Sequence, residues 1–329
     1  MTDINIENAF IKCVKEYQEV NGTHVTIFNS PPSPLEFLQK CIHPNRPALI
    51  KGATDHWPAK DLWTDEYLCK KMHDSKITVA VTPNGYADAV TYDPVTKKDY
   101  FVLPHEEQMS FKDFLNHLND KNDKNAYYIS LQNGNLPMEY GPLINDVDPE
   151  INWCSQALGK SPDAVNFWFG DEKSITSLHK DPYENLYAVI RGQKTFILYP
   201  PIEYMCLHES IYPSAIYKPS KKKSGFDIVP LGNDSKVPWV PVNPLDPSSK
   251  ETYPRFKHAQ PITIVVEEGD MLYLPALWFH QVLQEGNKGV IAINYWYDME
   301  YQHSLYHNMG LYRRLVSEII DQQPSLENI

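Results

Sequence analysis

A chain of 329 residues with 42% apolar and 12% aromatic content and a formal charge of −12 has the composition of a globular protein with a sizeable core. The acidic balance argues against direct nucleic-acid binding, and no stretch is long and apolar enough to span a membrane, the most apolar run, 271–279, being broken by Pro275. The N-terminus lacks a secretory pattern, and five cysteines without C-x-x-C spacing read as reduced thiols in a cytoplasmic or nuclear setting.

Ala9, Val14, Tyr17 and Val20 recur at helical spacing, and Pro34-Leu35-Glu36-Phe37-Leu38 opens a second helix with proline in its first turn. A strand is expected at 48–52, a helix on Phe111, Phe114, Leu115 and Leu118, and a strand over 126–131. Residues 1–125 therefore read as a mixed, mostly helical region packed on the second half of the chain.

From Ala164 the texture changes to short β-rich runs. Strands are expected at 164–169, 175–181, 186–190 and 195–199, with Arg191-Gly192-Gln193 as a hairpin turn between the last two. Four more lie at 262–266, 271–274, 278–283 and 290–296, with Glu268-Gly269-Asp270 as a turn. Eight short strands in two groups of four predict a mainly β chain with added helices, built on a jelly-roll (double-stranded β-helix, cupin-like) core over 126–301. A proline-rich insert at 200–261 separates the groups, a length that signals function or disorder. Its run Val-Pro-Trp-Val-Pro is expected to pack, and the basic stretch Lys218–Lys223 reads as a solvated loop or a localisation signal. In the tail, 302–329, one helical face carries Leu305, Met309, Tyr312, Val316 and Ile319/Ile320. That face fits either the chain's own core or a homodimer interface.

The chemistry centres on His179-Lys180-Asp181 and on His280, which lies ninety-nine residues beyond Asp181. Residues two apart on a strand share a face, so His179 and Asp181 can grip one metal while Lys180 points away. A third ligand from a distant strand completes two histidines and a carboxylate, the set that leaves open positions on Fe(II); structural zinc sites take four ligands, usually cysteine. About one H-x-D arises by chance in such a chain, so the surroundings decide. Lys194 can meet the carboxylate of an oxoacid chelating the iron. Thr176 and Asn185 flank the ligand strand, Tyr128 can reach in from the preceding strand, and Asn294 can orient a bound molecule or simply end its strand. Tyr183, Glu184, Asp88 and Asp298 are candidates for selecting a cationic side chain, and each also reads as surface or cap. A metallopeptidase reading would instead use Glu184 as general base to a metal-bound water.

Several segments carry a resemblance: 43–47 (His-Pro-Asn-Arg-Pro), 81–90, 157–160, 162–168, Thr-Ser-Leu-His-Lys-Asp-Pro-Tyr-Glu-Asn-Leu-Tyr at 176–187, Leu-Tyr-Leu-Pro-Ala-Leu-Trp-Phe-His at 272–280, and 294–301. Through them the chain resembles the Jumonji-C dioxygenases, and within them the protein lysyl hydroxylases. The resemblance implies iron at His179, Asp181 and His280, with oxygen as co-substrate. It implies 2-oxoglutarate held at its distal carboxylate by Lys194 with Thr176, Tyr128 and Asn185, and lined by Asn294. It further implies a protein substrate presenting a lysine, in this subgroup a developmentally regulated GTP-binding protein, modified at C-3. Cleavage of methylated histone tails, lysine demethylation and a non-catalytic cupin-like binder are the alternatives. One departure stands out: His43 occupies a position where relatives can carry cysteine, with Cys41 two residues earlier. An intersubunit disulfide is therefore not expected there.

Overall fold

The computed structural model describes residues 2–222, 224–232 and 234–322, with side chains from residue 6 onward. Eight strands build its centre: β1 (Ala164–Gly170), β2 (Ile175–His179), β3 (Tyr183–Arg191), β4 (Gln193–Tyr199), β5 (Ile262–Val266), β6 (Met271–Leu274), β7 (Phe279–Glu285) and β8 (Val290–Asp298). They pair as β6-β3-β8-β1 in one sheet and β5-β4-β7-β2 in the other, so successive strands alternate between sheets, except β4 and β5, which pair with each other, and the two chain groups interleave. This is the expected jelly roll. Two short strands, Thr26–Phe28 and Ala48–Ile50, extend the first sheet beyond β6, and Tyr86–Ala87 extends the second beyond β2.

Period-2 alternation decides what each face buries. Tyr187, Val189, Leu272, Leu274, Phe196, Leu198, Ile264 and Val282 point between the sheets and form one apolar cluster. Leu186, Ala188, Ile190, Tyr273, Ile293 and Tyr295 point outward from the first sheet, where Phe37, Trp57, Phe111 and Phe114 from the N-terminal third cover them. A strand covered on both faces has lost its alternation of apolar and polar residues, which is why β3 and β8 read as continuous apolar runs.

Several sequence expectations change. The turn at Gly192 (φ 76) is no hairpin, because β3 and β4 belong to different sheets and the chain crosses from one to the other there. The strand expected to run through 181 ends at His179, and its register with β7 shifts between Thr176 and His179. The segment 76–110, for which the sequence suggested no elements, holds Lys76–Thr82, Ala89–Asp93, Lys98–Leu103 and His105–Ser110. The insert is ordered sheet rather than loop. Ser210–Pro219 pairs in parallel with Lys98–Leu103 and antiparallel with both Phe226–Pro230 and Lys236–Trp239. The parallel partner, Lys98–Leu103, is remote in sequence, so local pattern could not announce that pairing. The prolines are tolerated because they fall at strand ends (Pro219, Pro230) or in the short ladder between Ser210–Pro213 and Lys236–Trp239. Lys218, Lys221 and Lys222 are exposed, and Lys223 lies outside the described residues.

The first helix, Thr2–Asn21, buries Val14 and half-buries Phe10, Ile11 and Tyr17, whereas Val20 is 83% exposed and does not join the inward face. The C-terminal helix, Ser304–Leu315, continues through Val316–Ile320 and packs Tyr312 and Val316 against Val14 and Tyr204. Tyr312 stacks edge-on to Phe10 at 5.1 Å and donates to the Ile202 carbonyl at 2.9 Å. Of the face singled out in the sequence, Met309, Tyr312, Val316 and Ile320 thus pack on the chain's own core. No helix among the described residues is long and apolar enough to cross a membrane.

Candidate metal centre

In a jelly roll β2 neighbours β7, and this adjacency brings the distant ligands together. His179 and His280 are direct register partners across the two strands. Asp181 arrives from the bend after β2 rather than from the strand itself, held where Leu277 N donates to its carbonyl at 2.9 Å. Its Oδ2 lies 3.6 Å from His179 Nε2 and 3.7 Å from His280 Nε2. One ligand atom from each residue falls within 4.8 Å of the others.

The donor set fits a divalent ion. His179 Nδ1 meets the Ser177 carbonyl at 2.8 Å and His280 Nδ1 meets the Trp278 carbonyl at 3.0 Å. A ring that donates through Nδ1 keeps Nε2 as the lone-pair side, and both Nε2 atoms face Asp181. Burial holds His280 near 4, helped by the neighbouring imidazole, so that ring is neutral. Burial would raise the Asp181 carboxyl, but the pull of His179, by charge and by hydrogen bond, outweighs it and holds the group below the usual carboxylate range. For His179 burial pulls down and Asp181 pulls up harder. Trp239, from the insert, stacks on the His179 ring (5.6 Å, 5°), donates to Ser177 Oγ at 3.0 Å, and is backed by Phe101 at 4.6 Å.

Deeper in the barrel sits a buried cation with neutral partners. Lys194, 1% exposed, donates to Gln284 Oε1 at 2.7 Å and Tyr128 Oη at 3.1 Å. Among the described residues no carboxylate pairs with it, and burial pulls its ammonium down to about 7. Gln284 Nε2 is fixed on the Asp171 carbonyl at 2.8 Å, which turns its oxygen toward the lysine. The Tyr128 hydroxyl also meets Thr176 and Tyr187. Gly170 leaves no room for a side chain: a Cβ there would come within 2.6 Å of the Tyr128 ring and 2.7 Å of Gln284 Nε2. Gln284 is four residues beyond His280 on the same face of β7, roughly 13 Å along the strand, a span that a lysine side chain and a short dicarboxylate together would bridge. The strand that carries Lys194, β4, is separated from the ligand strand β2 by β7.

Asn294 accepts from Trp168 Nε1 at 2.8 Å and Asn166 Nδ2 at 3.1 Å and donates to Asn185 Oδ1 at 3.0 Å, a polar layer on the inward face of the first sheet. Of the four candidates for a cationic side chain, Tyr183 and Asp88 lie within electrostatic reach of Asp181 and His179. Tyr183 stacks on Trp296 (4.8 Å, 4°), and Asp298 is its register partner at the end of the barrel. Asp88, in the left-handed region at φ 52, accepts Ser177 Oγ on its carbonyl at 2.6 Å; burial lifts its carboxyl to about 6, against the pull of His179. It lines a cleft of about 520 Å³ with Glu106, Ser130, Gln132 and Asn133. Glu184 does not belong with them. Side chains alternate along β3, so Asn185 faces inward and Glu184 faces the N-terminal helices, where its Oε2 accepts from Tyr273 Oη at 2.6 Å and Ala276 N at 3.2 Å.

Sequence reasoning did not single out Gln284, Trp239 or Trp168. A glutamine in an apolar strand, spaced by two pleats from His280, was a readable sign of Gln284. Trp239 had none, because its place depends on how the insert folds.

A cupin-like domain model matches residues 34–303. Human "Bifunctional peptidase and (3S)-lysyl hydroxylase JMJD7" is 41% identical, over 84% of this chain and 85% of its own length. "JmjC domain-containing protein E" of Dictyostelium discoideum is 42% identical over 82% and 83%. "Lysine-specific demethylase JMJ32" of Arabidopsis thaliana is 38% identical over 90% and 87%.

Proposed function

The chain belongs to the cupin-like Jumonji-C (JmjC) family, and on that premise we propose that it is an Fe(II)- and 2-oxoglutarate-dependent hydroxylase of a protein lysine side chain at C-3. The observation that carries the reading is the convergence of His179, Asp181 and His280 in a barrel that also buries Lys194, with no carboxylate paired to it among the described residues. A developmentally regulated GTP-binding protein is the substrate class proposed from the resemblance, in a cytoplasmic or nuclear compartment.

His179, Asp181 and His280 would hold ferrous iron, and Lys194, aided by Tyr128 and Thr176, would take the distal carboxylate of 2-oxoglutarate. When bound, these groups and oxygen supply the oxidising chemistry, with succinate and carbon dioxide as the other products. Gln284 and Gly170 keep Lys194 and Tyr128 aimed at one point. Asn185 and Asn294, bonded to each other on the inward face, would line the co-substrate pocket. Trp239 and Phe101 wall the His179 side and exclude water from it. Asp88, whose carboxyl feels the pull of His179, would receive the ammonium of the substrate lysine, with Tyr183 and Asp298 as the other candidates. No residue is assigned as general acid or base.

The placement of Glu184 weighs against the metallopeptidase reading, because the base it would require faces the other side of the sheet from the metal residues. The test is to load the protein with Fe(II) and 2-oxoglutarate without oxygen, then admit oxygen with lysine-bearing peptides. A peptide heavier by one oxygen atom, with matching succinate, is expected. Release of formaldehyde from a methyl-lysine peptide would replace hydroxylation by demethylation, and scission without 2-oxoglutarate would replace it by peptidase activity.

A further inference from the structure

Lys180 stands between two metal-site residues and points the other way, into a buried charge cluster. Its ammonium contacts Glu209, at the foot of the insert, and lies over the Phe279 ring at 4.9 Å and the Tyr204 ring at 5.9 Å. The other oxygen of Glu209 accepts from Arg313 Nη2 at 2.6 Å, and Arg313 lies on the C-terminal helix with its guanidinium 5.7 Å from the same Tyr204 ring. Glu209 is 3% exposed at its side chain, and the two cations hold it ionised against the upward push of burial.

Three features make this more than a fold contact. The cluster touches the chain neighbours of every proposed ligand: Lys180 is bonded to both His179 and Asp181, and Phe279 precedes His280. It joins segments from three places in the chain: the bend after β2, the start of the insert, and the last helix. Finally, two cations share one buried carboxylate, an arrangement that well-packed apolar groups would often match or better in stability. Directional bonds do what apolar packing cannot, which is to fix which way Lys180 points and hence the rotation of the backbone that presents His179 and Asp181.

We propose that Glu209 and Arg313 are positioning residues for the metal centre, so that docking of the C-terminal helix, transmitted through Lys180 and Phe279, aligns His179, Asp181 and His280. The proposal rests on reading those three residues as the metal site. Glu209 and Arg313 touch neither metal nor substrate, and their effect is on affinity for the ion. Residues that orient metal ligands typically cost 10- to 100-fold in metal affinity when changed.

The experiment measures Mn(II) affinity of the full chain by the paramagnetic resonance of free Mn(II), alongside the melting temperature of the metal-free protein. Arg313→Met should weaken Mn(II) binding by about tenfold or more, and Arg313→Lys should restore part of it by returning the charge. The decisive variant replaces the whole cluster with Lys180→Met, Glu209→Met and Arg313→Met. It is expected to melt no lower than Arg313→Met yet still bind Mn(II) about tenfold more weakly than the parent. A purely structural cluster predicts that affinity returns with stability, and that result overturns the proposal, as does Arg313→Met with parental affinity. Asp181→Ala separates the two readings. If it binds Mn(II) as the parent does, the assignment of the metal site fails and the positioning role falls with it; if it alone abolishes binding while Arg313→Met has no effect, only the positioning role is lost.

Discussion

Lys194→Met isolates the pairing that defines the co-substrate pocket. In the protein without 2-oxoglutarate, Lys194 is 1% exposed and its ammonium donates to the neutral oxygens of Tyr128 and Gln284, with no carboxylate beside it among the described residues. Burial lowers it from 10.5 to about 7, which at 1.36 kcal/mol per unit is roughly 5 kcal/mol of strain on the charged form. The sign comes from proton counting. Between about 7 and 10.5 the unfolded chain holds a proton that the folded one lacks, so the stability of the co-substrate-free protein rises with pH across that window and the full penalty is felt below it. Methionine removes the charge at nearly the same volume, so the variant should melt higher than the parent at pH 7 and lose that pH dependence. Binding should move the opposite way. Truncating one partner of a buried charge pair costs about 2–5 kcal/mol, so 2-oxoglutarate should bind at least roughly 30-fold more weakly. Titration calorimetry in buffers of different ionisation enthalpy adds a further readout: the parent takes up a proton on binding near pH 8, as the carboxylate raises the lysine's pKa, and the variant does not. Unchanged affinity in the variant, or a variant less stable than the parent at pH 7, would refute the reasoning.

The geometry sets three more outcomes. Asp88→Asn should raise KM for a lysine-bearing peptide by on the order of tenfold, the worth of one charge-assisted hydrogen bond, with kcat changed less; an unaltered KM in steady-state assays removes Asp88 from lysine recognition. Glu184→Gln should leave Mn(II) and 2-oxoglutarate affinities at parental values, since the side chain hydrogen-bonds Tyr273 and Ala276 behind the sheet; loss of metal binding on titration would mean that Glu184 reaches the site. Glu203, fully buried and lifted by burial to about 7, accepts from Gln18 Nε2 at 2.6 Å and Gln260 N at 3.0 Å. Between 4.5 and about 7 the folded chain holds a proton that the unfolded chain lacks, so this group's contribution falls as pH rises. Glu203→Gln should therefore stabilise the protein over the parent by up to roughly 3 kcal/mol at pH 8 and not at pH 4, seen as a higher melting temperature at pH 8 alone; equal gains at both pH values would contradict that origin.

The parts of the site legible in the sequence were those whose chemistry is out of place locally. His280 stands in a run of apolar residues, and His179 and Asp181 carry a spacing that needs a partner. The geometric reason for their meeting was less legible: strand alternation suggested that β2 itself presents Asp181, whereas the residue lies in the bend after it. Parity along β3 separates Asn185 from Glu184, and adjacency to Asp181 in sequence hid that separation. The insert read as a loop because its prolines mask strands whose partners lie about a hundred residues away, at Lys98–Leu103. Trp239 falls in a run expected to pack, but its stacking on His179 was hidden for the same reason.

Anaerobic titration of the metal-free protein with Fe(II) in the presence of 2-oxoglutarate, monitored by visible absorption, tests the central assignment most directly. One equivalent of iron should bring up a single charge-transfer band of an oxoacid chelated to the metal, absent in Asp181→Ala and needing much more 2-oxoglutarate in Lys194→Met. A protein that takes up no iron, or an Asp181→Ala variant that shows the parental band, would contradict it.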